Sequence, residues 1–122
     1  AGEYVATAYA SLALKIGRCF DKLSRGRDIS KITVLGGGGQ SAKLCSLIAS
    51  ACDTRISIGH SESTMLGNVL VQLYTLGYLP DIDAGLRALP ASGVVYSPDD
   101  KDFTDELYER YDAVLAARAA IK

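Results

Sequence analysis

The sequence of 122 residues has few of the side chains that build metal centres, disulfide frameworks or membrane spans. It contains one histidine, His60, and three cysteines without a Cys-x-x-Cys pair. An odd cysteine count without that spacing predicts neither a disulfide framework nor a zinc site, and it favours a reducing, cytoplasmic setting. The apolar runs are short and interrupted. We therefore expect no membrane-spanning helix and no signal peptide.

An excess of basic charge is also absent. Thirteen lysines and arginines stand against fourteen aspartates and glutamates, which gives a formal net charge of −1. Nucleic-acid-binding domains carry clustered positive charge that neutralises phosphates, so nucleic acid is not an expected partner. Apolar residues make up 48% of the chain, which is an ordinary share for a globular domain of this length. The composition therefore predicts one globular domain at most.

The hydrophobic pattern predicts helices alternating with short strands. Apolar residues three or four apart indicate an amphipathic helix over 3–24, and β-branched runs indicate buried strands at 32–35 and 55–58. The remaining periodic segments, all expected to be helical, are 41–52, 63–76, 80–89 and 102–121. The stretch 94–98 is expected to be a loop. A strand, a short helical crossover and a second strand predict a parallel pair in an α/β architecture, with few parallel strands flanked by helices.

Two strands are few for a parallel sheet. Such sheets normally have more neighbouring strands and helices on both faces. The sequence also begins with Ala1 and Gly2 instead of methionine. We therefore expect the chain to be one portion of a longer protein and part of a larger sheet.

Four consecutive glycines, Gly36 to Gly39, lie between the first strand and the next helix. Because glycine has no side chain, an anion can approach the backbone amides there, and the following helix adds a positive dipole end. In α/β sheets, ligands bind at the carboxyl ends of the strands, where this loop lies. The alternative is a tight turn that packs the helix on the strand. Four glycines favour contact with a phosphate or a nucleotide.

The glycine loop matches no complete nucleotide-binding motif. A Walker loop would end in Gly-Lys-Ser/Thr, whereas Lys43 lies inside the predicted helix. The relaxed dinucleotide motif is present at 37–42, but Gly59 and His60 stand where an acidic residue should follow the second strand. A dinucleotide-binding domain is therefore the weaker alternative.

Other residues give less specific signals. His60 is expected to be a solvated loop residue rather than a catalytic base, since no Cys, Ser or Asp partner has a recognisable spacing. Glu62 is expected at a helix start. Gly67 lies inside that helix, where glycine costs about 1 kcal/mol, so we expect another element to approach it closely. The cysteines are expected to be small buried hydrophobes.

Five motifs between Ala8 and Tyr111 occur in a distinctive order. They are SLALK at 11–15, VLGGGGQ at 34–40, ESTMLGN at 62–68 with Gln72 after it, VYSP at 95–98 and YERY at 108–111. This succession resembles the carboxyl-terminal part of the FGGY carbohydrate kinases, and the third and fourth motifs point to the rhamnulose branch. The resemblance implies an actin-like (ribonuclease-H-like) ATPase fold, of which the chain would be the last part of the second lobe.

The resemblance also implies a nucleotide site, because the glycine loop borders the ATP cleft in these kinases. The nucleotide-binding residues carried over by position are Gly36, Gly37, Gly38, Gly39, Gln40 and Ser41. Among them, Gly37 and Gly38 are the principal contacts, while Gln40 and Ser41 lie toward the nucleoside. The family usually has Asn at the position of Ser41 and Glu at that of Ala10, so this sequence is a divergent member.

Two functions from different classes follow. The first is a fragment of an ATP-dependent kinase that phosphorylates rhamnulose or a similar ketose, with ATP and magnesium as cofactors of the complete enzyme. The family's catalytic base lies upstream of these motifs, so the fragment has no catalytic or metal-binding residue and should be inactive alone. The second is a stand-alone, non-catalytic kinase-lobe module that self-associates, forming a homo-oligomer through an exposed strand edge and the helix of Tyr108 and Tyr111.

Overall fold

The computed structural model describes residues 2–90, 93–99 and 101–120. In chain order the elements are α1 (Gly2–Ser24), β1 (Lys31–Val34), a 3₁₀ turn (Gly37–Gln40), α2 (Ala42–Ala51), β2 (Arg55–Ile58), α3 (Ser63–Thr75), α4 (Ile82–Ala88), β3 (Val95–Tyr96) and α5 (Lys101–Ala119). The predicted helices are thus confirmed within one or two residues at most ends, and residue 121 of the last one lies outside the described part. None of the described helices combines the length and apolar character needed to cross a bilayer.

The sheet has three strands in the order β1-β2-β3. β1 and β2 are parallel, with Ile32 opposite Ile56, which confirms the predicted parallel pair. β3 is antiparallel to β2 and places Tyr96 opposite Ile56. The prediction of a loop at 94–98 was wrong at Val95 and Tyr96, because two residues carry no periodic signal of their own. Their extended conformation comes from pairing with β2.

The helices α1, α2 and α5 lie on one face of the sheet, where the hydrophobic core is. α2 packs on the strands, and α1 and α5 pack against α2. Ile56 and Cys45 are the largest fully buried side chains. Alternate strand residues such as Lys31 and Thr33 point to the other face, because successive side chains of a strand point to opposite sides. Lys31 and Thr33 are exposed, and α2 packs on the opposite face of the strands.

The cysteines divide into two groups. Cys45 and Cys52 are buried in α2 and at its end, as expected, and burial raises the pKa of the Cys52 thiol to about 11. Cys19 is exposed, so its expected burial was wrong. α1 buries a stripe that includes Leu14 and Gly17 and continues to the partly buried Phe20, and Cys19 lies outside this stripe.

Tyr108 attaches α5 to the other two helices. Its hydroxyl donates a 2.8 Å hydrogen bond to the carbonyl of Ala51 at the end of α2. The guanidinium of Arg18 lies 4.3 Å from the centre of the Tyr108 ring and also forms an ion pair with Asp112. Burial is the main cause that raises the pKa of Tyr108 to about 12. Tyr108 therefore packs within the chain, although its helix was expected to contribute to a self-association surface.

α3 and α4 form a separate helical pair. Leu70 of α3 is buried, and a methyl group on Gly85 of α4 would lie 2.4 Å from its Cδ2 atom, so the two helices touch closely there. Most other apolar side chains of α3 are exposed, including those of Met65 and Tyr74. No described atom lies within 4 Å of a methyl group built on Gly67, so the expected close approach to it is not found within the described residues.

Candidate functional site

The glycine loop leaves β1 at its carboxyl end and is attached to the loop that follows β2. Gly36 has a φ of 78°, a conformation that glycine adopts without strain. Its amide donates a 3.3 Å hydrogen bond to the carbonyl of His60, and the amide of Gly59 donates a 2.9 Å bond to the carbonyl of Val34. A methyl group on Gly59 would lie 2.2 Å from Cδ2 of the exposed Leu35 side chain, which would have to move to accommodate it. The two loops therefore form one edge of the sheet.

Gly39 has a packing role within the 3₁₀ turn. It is buried, and a methyl group on it would lie 3.0 Å from Ile58 Cγ2. Its amide donates a 3.1 Å hydrogen bond to the carbonyl of Gly36. A tight turn with close packing of the helix on the strand was the alternative explanation of the glycine run, and at Gly39 the close packing is between the turn and β2.

Gly37 and Gly38 differ from Gly39, because both are exposed and have open space around them. No described atom lies within 4 Å of a methyl group built on either residue. Within the described residues, neither backbone amide donates to an intramolecular acceptor. Unpaired amides that face solvent are suited to binding an anion. This pair is therefore the accessible part of the predicted site.

Ser41 and Gln40 connect this pair to α2. Ser41 is the N-cap of α2, and its hydroxyl accepts a 3.4 Å hydrogen bond from the amide of Leu44. Because an N-cap hydroxyl accepts through a lone pair, its own hydrogen stays available for donation. Gln40 is exposed at the end of the 3₁₀ turn. The positive end of the α2 dipole adds to the attraction for an anion at this edge.

The loop after β2 brings two more side chains to the same edge. His60 is half-buried, and its carbonyl also accepts a hydrogen bond from the hydroxyl of Ser63. Glu62 is the exposed N-cap residue of α3 and makes no side-chain capping bond, which agrees with its expected place at a helix start. Among the residues with described side chains, no three His, Cys, Asp or Glu residues are grouped so that they could hold a metal ion.

A depression that was not predicted from the sequence lies beside the loop, between polar strand residues and apolar residues that include Leu86 and Val95. Its volume is about 420 Å³, and Lys31, Thr33, Ser57 and His60 are among its lining residues. The hydroxyls of Thr33 and Ser57 lie 3.0 Å apart and are hydrogen-bonded to each other. The alternation of polar and apolar residues in KITV and RISI is the signal that could have revealed this face.

Comparison with known proteins assigns the chain to a family. The model of the FGGY family of carbohydrate kinases, C-terminal domain, matches residues 1–76. A rhamnulokinase of Klebsiella pneumoniae is 37% identical over 83 residues, which are 66% of this chain and 17% of the relative. A rhamnulokinase of Lactiplantibacillus plantarum is 30% identical over 116 residues, which are 90% of this chain and 24% of the relative.

The chain thus spans less than a quarter of the length of either of these relatives. The glycine loop and the start of α3 both lie within the matched residues. The chain belongs to the FGGY family of carbohydrate kinases, and residues 1–76 correspond to part of the family's C-terminal domain.

Proposed function

We propose that residues 1–122 are the carboxyl-terminal portion of the second lobe of a rhamnulokinase-like kinase with an actin-like fold. The glycine loop then forms one side of the ATP site. The observation that carries this proposal is the pair of exposed, unpaired amides of Gly37 and Gly38 at the carboxyl end of β1. Phosphate oxygens accept hydrogen bonds from such amides without a clash, because no side chain stands in front of them.

The six loop residues have different tasks in this site. Gly37 and Gly38 donate to phosphate oxygens, and Gly36 supplies the turn that aims these amides outward. The Ser41 hydroxyl and the Gln40 amide face the nucleoside. Gly39 holds the turn against β2 through its contact with Ile58. The loop therefore binds and orients ATP and takes no part in proton transfer.

The complete enzyme would transfer the γ-phosphate of ATP to the primary hydroxyl of rhamnulose or a similar ketose. Phosphoryl transfer needs a positioned nucleophile, a metal ion that neutralises charge and a base. The described residues include no group of three His, Cys, Asp or Glu side chains that could hold a metal ion, so other parts of the complete enzyme would supply the ligands of magnesium. We propose that the chain alone is inactive. The buried thiols of Cys45 and Cys52 agree with the proposed cytoplasmic location.

The complete enzyme provides the direct test. Gly37→Val places a branched side chain in front of the phosphates, so the KM for ATP should rise at least tenfold while the KM for the sugar stays within twofold. The control is Ala116→Val, which adds apolar volume on an exposed turn of α5. An unchanged KM for ATP in the Gly37→Val enzyme would mean that the loop is not part of the ATP site.

A stand-alone, self-associating module is the second candidate function. The exposed apolar side chains of α3, such as Val69 and Val71, support it, as does the position of β1 at the edge of the sheet. Exposed apolar patches and unpaired strand edges are surfaces that proteins usually cover. Sedimentation of the chain should then show a dimer at tens of micromolar, and a monomer throughout that range would refute this candidate.

A further inference from the structure

A groove between α1 and α5 plays no part in the proposed nucleotide site. Its volume is about 800 Å³, and small-molecule sites commonly enclose about 300–1,000 Å³. Apolar side chains from three helices form its walls and floor, among them Tyr9 and Leu14 of α1, Leu47 of α2, and Leu107 and Tyr111 of α5. The groove therefore has the size and surface of a site for an apolar ligand.

The charged residues of this groove are all cations. Lys43 of α2 and Arg110 of α5 are exposed among its lining residues, which include no aspartate or glutamate. The ion pairs in the described part of the chain involve Arg18 and Arg87. Neither Lys43 nor Arg110 takes part in one of them. Two unpaired cations beside apolar walls favour a ligand that has an anionic group at one end of an apolar body.

We propose that the groove binds an amphiphilic organic anion, with its apolar body between α1 and α5 and its acidic group at Lys43 and Arg110. Its charge complements these two cations, whereas a neutral hydrocarbon would leave them without a partner. The stem of each cation is also apolar and can line the groove while the charge stays hydrated. The site is built from helices, so it does not depend on the conformation of the glycine loop.

Calorimetric titration of the chain with decanoate tests the proposal. Octanoate has two fewer methylene groups and should bind about tenfold more weakly, because each buried methylene contributes about 0.8 kcal/mol. Decanol has the same chain without the negative charge and should bind more weakly than decanoate. Equal affinity for decanoate and decanol would overturn the proposed role of the cations, and no binding of decanoate would overturn the site.

Double substitutions test where the carboxylate of decanoate binds. Lys43→Gln with Arg110→Gln should weaken decanoate binding about three- to tenfold, which is the range expected for two exposed ion pairs, and should leave decanol binding unchanged. The control is Lys22→Gln with Arg118→Gln, which removes the same charge from α1 and α5 outside the groove lining. An equal loss in the control would mean that decanoate responds only to net charge, and the proposal would fail.

Two single substitutions test where the apolar chain of decanoate binds. Ala10→Phe fills the groove and should abolish decanoate binding, with the helical circular dichroism unchanged. Val71→Ser reduces the exposed apolar surface of α3 and should leave the binding intact. If Ala10→Phe instead converts a dimer into a monomer in sedimentation, and neither form binds decanoate, the groove is a contact between two copies and the proposal is wrong.

Discussion

Replacing Gly17 by alanine should loosen the attachment of α5. The added methyl group would lie 1.8 Å from the Tyr108 hydroxyl oxygen and 2.7 Å from the Ala51 carbonyl oxygen. Neither atom can move freely, because these two oxygens are joined by the hydrogen bond of 2.8 Å and the tyrosine ring also contacts Arg18. The methyl group can therefore be accommodated only if Tyr108 leaves its position or α1 moves away from α2.

The expected cost follows from three contributions. Loss of the Tyr108 hydrogen bond costs about 1 kcal/mol, and overpacking of a filled contact costs about 1–3 kcal/mol. The higher helix propensity of alanine offsets about 1 kcal/mol of this destabilisation. We expect Gly17→Ala to lower the free energy of unfolding by about 1–3 kcal/mol.

Urea denaturation followed by circular dichroism measures this change, and a double-mutant cycle tests its cause. In a Tyr108→Ala background the phenol is absent, so the cost of Gly17→Ala should fall by at least about 1 kcal/mol. Gly67→Ala is the matched control, because its methyl group meets no described atom within 4 Å. The free energy of unfolding of that variant should rise by about 0.5–1 kcal/mol. An equal cost of Gly17→Ala in both backgrounds would refute the steric explanation.

The remaining predictions concern titration and thiol access. The folded chain raises the pKa of Cys52 to about 11 and that of Tyr108 to about 12, so it favours both neutral forms. The contribution of these two groups to the free energy of unfolding is complete below their pKa values in the unfolded chain, about 8.5 and 10. It is lost as the pH rises through their pKa values in the folded chain. Urea midpoints should therefore fall from about pH 9 upward, and they should fall less steeply in Tyr108→Phe. A thiol reagent should modify exposed Cys19 rapidly and buried Cys45 and Cys52 only on unfolding. Rapid reaction of all three thiols in the folded chain, or midpoints that do not change with pH, would contradict these assignments.

The sequence predicted the features that depend on local spacing. The parallel pair β1 and β2, the glycine loop between β1 and α2, and the buried face of α2 all follow from short-range patterns, and the structure confirms each of them. Glycine composition alone could not separate Gly39, which packs on Ile58, from Gly37 and Gly38, which face open space. That distinction depends on where β2 lies relative to the loop.

Features that depend on distant parts of the chain were not predictable in the same way. Val95 and Tyr96 become a strand only because β2 is beside them. The groove requires α1 and α5 to lie side by side, and these helices are about as far apart in sequence as the chain allows. The exposure of Cys19 likewise depends on which face of α1 the neighbouring helices cover.

The attachment of the glycine loop to the loop after β2 determines which mutations this edge of the sheet can tolerate. Both connections, Gly36 to His60 and Gly59 to Val34, run from a backbone amide to a backbone carbonyl. Exchange of the His60 side chain therefore leaves the loop in place, since only its carbonyl takes part. Proline at 36 or 59 removes the donor and would separate the two loops. The shape of this edge of the sheet is thus maintained by main-chain hydrogen bonds that do not require the His60 side chain.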